Sequence, residues 1–570
     1  MRPSEALWRN LAAMALFLLI AVAITYPASV SPSQYVLGGL DHPTINGEVF
    51  LAGTMRDSLL QGKLLRWFET DMVNFPQGQN LGPRIAHSLN LYLEQALCLP
   101  FGPLVGVNLS GVAMLALNGF VMFLVARRLL RSDVAAVVAG LCFQINAYSL
   151  VKLSIGSLHK STLFWLPLFL LALIHMREHG GWKPAVACVA TLTAGFLLYP
   201  VHAFYALLLA GLLAMWDMLG RRRLRLVRDL ALVLAGFAVV NITIDQALGF
   251  GLESMAATDM ATKNLPVFVA NGVLDLLHPF RTFLPEPTGL PIGLSFLAVI
   301  LAIVAVLRAD DGLPRFLLTA AVVFVILAAG PYIMLDGRPL ELGGVVIQLP
   351  HALLYRLVPS VYGSGVGLFF PIRALPVVFL CLALLSGYGV KHIARGLAIP
   401  MAIVAVLVAV AHTGEHLIRF PELMPVRTGP VMLPSVLDTI RADKSCEAIL
   451  HLPASRETEA CHRYCFLSTM AGKRSVNPYD REGLWLDVPD GDSPLPAQQA
   501  FVDHLLEHGI RYVLVHAAFA GLQADPVDLQ WLGAALSGTG QVTREAGLTV
   551  YEIPEGLRLA TDAPMTEDTP

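Results

Sequence analysis

Long apolar runs dominate this chain, and no other feature limits its fold so sharply. A bilayer core about 30 Å thick needs roughly 20 apolar residues in a helix rising 1.5 Å per residue. Runs of about that length fall at 11–26, 107–126, 134–153, 161–176, 184–199, 201–219, 230–248, 289–307, 316–331, 371–390 and 399–411. They predict a polytopic α-helical membrane protein with about eleven transmembrane helices. Composition agrees. Charged residues make up 14% of the chain and hydrophobic residues 55%, whereas a soluble domain carries about 25% charged residues. A net charge of −3 leaves no basic field to hold a phosphate backbone, so nucleic acid is excluded as a main partner. Few charges and many aliphatics also exclude a disordered or coiled-coil chain.

The basic residues orient the helices. Arg2 and Arg9 precede the first run, and Arg127, Arg128 and Arg131 follow the second. Arg177 with Lys183, the group Arg221, Arg222, Arg223, Arg225 and Arg228, then Arg308 with Arg315 and Lys391 with Arg395 mark later turns. All fall on one side if the amino terminus is cytoplasmic, as the positive-inside rule requires. The arginine group at 221–228 reads as a topology anchor. The first run reads as an uncleaved anchor, not a signal peptide, because so many spans follow. The same parity makes 91–106 an interfacial or partly inserted helix, broken by Pro100, Gly102 and Pro103.

The segments 27–90, 249–288, 332–370 and the tail from His412 then share the outer face. The expected domains are a membrane domain over 1–411, with a first outer loop and interfacial helices over 27–106, and a small extracytoplasmic α/β domain over 412–556. In that domain, helices are expected at 435–442 and 498–508, with strands at 448–452, 512–515 and 548–553. A polar, disordered end follows at 557–570. No internal repeat argues for an inverted-repeat transporter.

Chemistry-bearing residues gather in the outer segments. The first loop carries Gly38-Gly39-Leu40-Asp41-His42 and, later, Glu69 and Asp71. A carboxylate there can take a proton from a hydroxyl or hold a divalent cation. Glu69 and Asp71 are two apart and would share one face of a strand. Arg373, Lys160 and His159 stand at outer helix ends, with Arg281 following His278-Pro279; cations there suit a phosphate. His202 reads as a hydrogen-bonded interfacial histidine, and Asn241 and Asp245 lie near an outer helix end. Of the seven cysteines, Cys98, Cys142, Cys188 and Cys381 read as small hydrophobes. Cys446, Cys461 and Cys465 could form a disulfide in an oxidising compartment. No second ligand pair stands at zinc spacing. The sequons at Asn108 and Asn241 lie too near the bilayer for glycosylation.

Several of these stretches resemble the bacterial polytopic glycosyltransferases of the GT-C class. They are the acidic residue early in the first outer loop, Phe75-Pro76-Gln77-Gly78, Pro100-Phe101-Gly102-Pro103, Gly156-Ser157-Leu158-His159 with Trp165-Leu166-Pro167-Leu168, and Pro371-Ile372-Arg373-Ala374. The resemblance implies an inverting transferase of the bacterial inner membrane, taking a sugar from a polyprenyl-phosphate donor to a glycolipid or envelope glycan. It implies Asp41 as the catalytic carboxylate, and Glu69 and Asp71 as a second acid or as ligands of a Mg or Mn ion. Arg373, Lys160, His159 and Arg281 would hold the donor phosphate. The tandem Asp-Glu of protein mannosyltransferases and the Trp-Trp-Asp of oligosaccharyltransferases are absent, which argues against protein acceptors. The competing reading is a non-catalytic protein, either a transporter of an envelope lipid or an assembly factor. A transporter should carry ionisable groups near the midplane at broken helices.

Overall fold

The computed structural model describes residues 3–63, 67–81, 89–221, 225–248, 274–276, 278–283, 290–309, 312–335, 338–357, 371–453, 458–479, 486, 488–489, 493–517, 530–536, 542–545 and 547–559. Arg2, Arg222, Arg223, most of 249–288, residues 358–370 and the end from 560 lie outside them. The chain forms two compact units, Met1–Gly39 with Gly82–Gly429, and Leu40–Leu81 with Pro430–Pro570. A boundary at 412 would cut the helix Met401–Arg419.

Apolar length builds the first unit. Among the described residues, seven helices are long and apolar enough to cross a membrane: Leu7–Ile24, Pro103–Leu130, Leu158–His179, Pro200–Gly220, Arg225–Ile244, Pro371–Leu397 and Met401–Arg419. One further pair, Asp133–Gln144 and Ala147–Ser154, is long and apolar enough only when taken together and is bent by 41°, as a broken span or a re-entrant loop is. Three further apolar helices, Trp182–Leu198, Phe296–Arg308 and Gly312–Ala328, are shorter. The expected run 289–307 is the clearest departure. Pro291 and Ile292 pair with Thr282–Phe283 as a short hairpin, and the helix starts only after Ser295, whose side chain accepts from Ala298 N. The segment 91–106 is no span. Leu89–Phe101 has 13 residues, too few to cross, and the chain reverses at Gly102 (φ +84) into Pro103–Leu130.

Pro371–Leu397 is the centre of this unit, with 94% of its most apolar window buried. Its glycines permit close packing of the kind small residues give membrane helices. A Cβ on Gly389 would lie 2.4 Å from the Leu301 carbonyl oxygen, and one on Gly387 2.9 Å from that of Ala135.

The second unit is built on a five-stranded sheet. Its order is Arg474–Ser475, Ala448–Leu452, Ile510–His516, Leu548–Glu552, Val542–Glu545. The first three strands are parallel and the last two join antiparallel. The three expected strands are present, as are helices Val436–Ala442 and Leu495–Glu507. Helices Thr458–Ala471 and Gln530–Leu536 and both outer strands are additional to the expectation.

Part of the expected first loop belongs to this unit. Ser475 N donates to Met72 O (2.8 Å) and Phe75 N to Ser475 O (3.1 Å), so residues 72–75 continue the sheet edge. Phe75 joins the core of Ala448, Leu450, Val476, Phe501 and Val513. Helix Pro43–Leu60 packs on Thr458–Ala471. There Phe50 stacks on Tyr479 (centroids 5.2 Å apart), and a Cβ on Gly47 would meet His462 Nδ1 at 2.8 Å.

All seven cysteines are buried free thiols, Cys446, Cys461 and Cys465 among them. Cys461 and Cys465 sit one turn apart in Thr458–Ala471, and Cys446 Sγ donates to Ala448 O (3.3 Å).

Phe75→Ala leaves a cavity in the sheet's core and should cost about 3 kcal/mol or more. Amide exchange in Ala448–Leu452 and Ile510–His516 should quicken accordingly. Unchanged protection there would detach the loop from that core.

Candidate functional site

Among the described residues of the first unit, a group of cationic and aromatic side chains surrounds Tyr199. This residue precedes Pro200, which excludes it from the helical region, and it stands extended (φ −163°, ψ 106°) between Trp182–Leu198 and Pro200–Arg221. The Arg373 guanidinium carbon lies 5.3 Å from its ring centroid and Lys160 Nζ 5.9 Å. The His159 and His202 rings lie 5.6 and 4.7 Å away. Tyr148 Oη and His202 Nε2 are 2.8 Å apart, and Lys152 Nζ sits 5.5 Å from the Tyr148 ring.

Short, irregular elements deliver these groups. Lys152 lies on Ala147–Ser154, the second half of the bent pair. His159 and Lys160 lie on the single turn Leu158–Ser161, reached through Gly156 (φ +67). Arg373 lies on the 3-10 turn Pro371–Ala374 that opens the central helix. Tyr148 and His202 are fully buried, and His202 Nδ1 has no hydrogen-bond partner among the described residues. Lys152 forms no ion pair with a described carboxylate. Like charges on Lys152, Lys160 and Arg373 disfavour one another at this range, and an anion bound among them would favour their charged forms. Guanidinium and ammonium donors beside aromatic faces suit a phosphate.

The structure therefore brings together Arg373, Lys160 and His159. Arg281 is engaged elsewhere, by Glu422 at 3.2 Å. Asn241 donates to Phe237 O within its own helix (2.8 Å). Lys152, Tyr148 and Tyr199 were not singled out from sequence. The available signal was Lys152 itself, a cation near the end of the apolar run 134–153, since ionisable groups inside spans mark function.

The acidic candidates lie in the second unit. Asp41 is exposed at the entry to Pro43–Leu60, whose N-cap is His42, with Nδ1 accepting from Thr44 N. Just before it, in the first unit, Gly38 (φ +83) and Gly39 (φ +75) use the left-handed region open to glycine. A Cβ on Gly38 would collide with Gly156 N at 2.4 Å. Within the second unit, burial pushes the His462 imidazole down to about 4, partly offset by the Pro43 carbonyl it bonds. The Asp57 carboxyl is raised by burial, with Arg56 opposing.

Glu69 and Asp71 line one cleft of about 460 Å³ with Lys63, Gln77, Asn80 and Arg474. Asp71 is already paired with Arg474 at 3.0 Å, which also reaches Glu447 at 3.3 Å. Among the described residues, no third His, Cys, Asp or Glu joins Glu69 and Asp71 at ligand distance. A divalent cation at this cleft would have to displace Arg474 from Asp71.

No protein-family model matches the chain, and no curated protein matches it in sequence. Solved structures do. A cryo-EM structure of the arabinofuranosyltransferase AftD from Mycobacteria aligns with TM-score 0.50 and 14% identity, over 95% of this chain and 41% of that one. The Archaeoglobus fulgidus oligosaccharyltransferase gives 0.48 and 12%, over 90% and 70%. ArnT from Cupriavidus metallidurans, bound to undecaprenyl phosphate, gives 0.45 and 12%, over 98% and 99%. This chain thus spans about two fifths of AftD's length. It is a polytopic membrane protein with the fold of the GT-C glycosyltransferases.

Tyr148→Phe removes the hydroxyl that satisfies His202 Nε2 and leaves that buried nitrogen without its partner. Thermal unfolding in detergent should show a loss of about 1–3 kcal/mol. An unchanged transition would mean that the pair contributes nothing to the site's rigidity.

Proposed function

We propose that the protein is an integral-membrane glycosyltransferase that moves a sugar from a polyprenyl-phosphate donor to an extracytoplasmic glycolipid or envelope glycan, inverting the anomeric carbon. The observation that carries this reading is the gathering of Lys160 and Arg373 around Tyr199, with Lys152 over the neighbouring Tyr148 ring, in a GT-C-like fold. The acceptor hydroxyl oxygen bonds to the anomeric carbon while the bond from that carbon to the phosphate oxygen breaks. The hydroxyl proton passes to the Asp41 carboxylate, and the departing polyprenyl phosphate gains a negative charge that the cations neutralise. Asp41 is the candidate base because it is the acidic residue early in the first outer loop, two residues after Gly39, where a glycine pair lets the backbone turn. No step is assigned to a metal ion.

The host membrane in this reading is the bacterial inner membrane. The arginine-rich helix ends face the cytoplasm and the sheet unit faces the periplasm. One observation favours a second reading: the bent pair Asp133–Gln144 and Ala147–Ser154 carries Lys152, as a transporter of an anionic envelope lipid would require.

Asp41→Asn preserves shape but cannot accept a proton. Transfer from polyprenyl-linked donors, assayed in membranes, should fall about a hundredfold or more, with melting unchanged and Asp57→Asn costing little. A transporter needs no base, so full function of Asp41→Asn would favour the second reading. Arg373→Ala should weaken donor binding by about 1.5–3 kcal/mol, the value of a charge-assisted phosphate contact. Equal donor affinity of the variant and the parent protein would remove Arg373 from the phosphate site.

A further inference from the structure

A cavity lies at the His179 end of Leu158–His179, the end away from His159 and Lys160. Twenty residues separate His159 from His179, and the continuous helix Trp165–His179 between them is 15 residues long, about 22 Å at 1.5 Å each. The cavity occupies about 880 Å³ between the ends of Pro103–Leu130 and Trp165–His179 and the start of Trp182–Leu198. Its walls are apolar, with Leu168, Leu171 and Ala187 among them, and its rim carries Arg128, His175, His179 and Lys183.

The rim is built by the turn between the two helices. Gly180 (φ +65) and Gly181 (φ +94) take backbone conformations that side chains resist. A Cβ on Gly180 would overlap the Arg225 guanidinium, which donates to the His179 carbonyl. The His175 and His179 rings stand 4.6 Å apart, one turn from each other. Lys183 Nζ lies 5.9 Å from the ring of Trp182, which is 71% exposed, as interfacial tryptophans are. Neither Arg128 nor Lys183 makes an ion pair or hydrogen bond with any described residue.

The sign of the charge decides what fits. His175, Glu178 and His179 come close enough to ligate a metal ion, but Glu178 does not line the cavity, and Arg128 and Lys183 at its rim repel a cation. A cationic rim over apolar walls, at the arginine-marked ends of membrane helices, complements an amphiphile with an anionic head. We propose that this cavity binds an anionic phospholipid, its phosphate against Arg128 and Lys183 and the first acyl carbons against Leu168, Leu171 and Ala187. This inference is independent of the transferase reading, because it uses neither the Tyr199 cluster nor Asp41.

The test is native mass spectrometry of the full chain in neutral detergent, titrated separately with phosphatidylglycerol and phosphatidylcholine. Phosphatidylglycerol should bind about tenfold or more tightly than phosphatidylcholine, the scale expected for two cations near a lipid head. Arg128→Gln combined with Lys183→Gln should erase that preference, and Arg128→Lys combined with Lys183→Arg should keep it. Ala187→Trp, which fills the apolar wall without touching the charges, should also weaken phosphatidylglycerol and serves if the glutamine variant does not fold. Equal binding of the two lipids by the parent protein would overturn the proposal, as would an undiminished preference in the glutamine and tryptophan variants. Displacement of the lipid by millimolar inorganic phosphate would assign the rim to a soluble anion and overturn it as well.

Discussion

A helix that breaks inside an apolar slab must find partners for the backbone groups it releases, since no water is there to take them. The interruption after Gln144 meets that demand with side chains. Asn146 accepts from Ser149 N at 2.9 Å and donates to Phe143 O at 2.6 Å. His412 Nε2 donates to the freed Ile145 carbonyl at 3.0 Å. The resulting 41° bend sets the course of Ala147–Ser154, on which Tyr148 and Lys152, one turn apart, share a face. The same device recurs nearby. Asn118 donates to Ser161 O and accepts from Leu163 N where the turn carrying His159 and Lys160 gives way to the next helix. Asn108, fully buried, holds Pro32 O, Tyr35 O and Leu37 N. A hydrogen-bonded, buried amide is not open to glycosylation, which agrees with the reading of its sequon.

Electrostatic preparation follows from where helices begin. Pro200–Arg221 starts immediately after Tyr199, and the central helix starts immediately after the turn carrying Arg373. Helix amino termini present unpaired N–H groups and the positive end of the macrodipole, so two of them reinforce Lys152, Lys160 and Arg373. Elsewhere in the unit an acid uses the same field structurally. Glu415 accepts from Phe296 N (2.6 Å), Leu297 N (3.1 Å) and the Ser295 hydroxyl (2.7 Å), capping Phe296–Arg308. An ionisable residue within a membrane helix is thus not by itself a sign of chemistry.

In the second unit, Asp41 stands at the head of a helix that the sheet domain holds. His462 reaches Pro43 O (3.1 Å) and stacks with Tyr479, which in turn stacks on Phe50. Tyr479 N also donates to the Gln79 side chain (2.9 Å). Substitutions in 458–479 therefore bear on the helix that Asp41 precedes, without any change in the first loop itself.

Local properties carried what the sequence determined alone. Apolar length located the membrane helices, proline and glycine marked the reversal at Gly102, and alternation placed Ala448–Leu452, Ile510–His516 and Leu548–Glu552. Each of these rests on neighbours within one or two turns, so a linear reading suffices. The clustering of Arg373, Lys160 and His159 was legible in part, because outer helix ends were expected to share one face. Other features belonged to tertiary structure alone: the break at Asn146, the company Lys152 keeps, the pairing of Asp71 with Arg474 and of Arg281 with Glu422, and the union of residues 40–81 with the tail. Each depends on which distant segments approach, and approach is decided by packing summed over many residues, a quantity no local pattern contains.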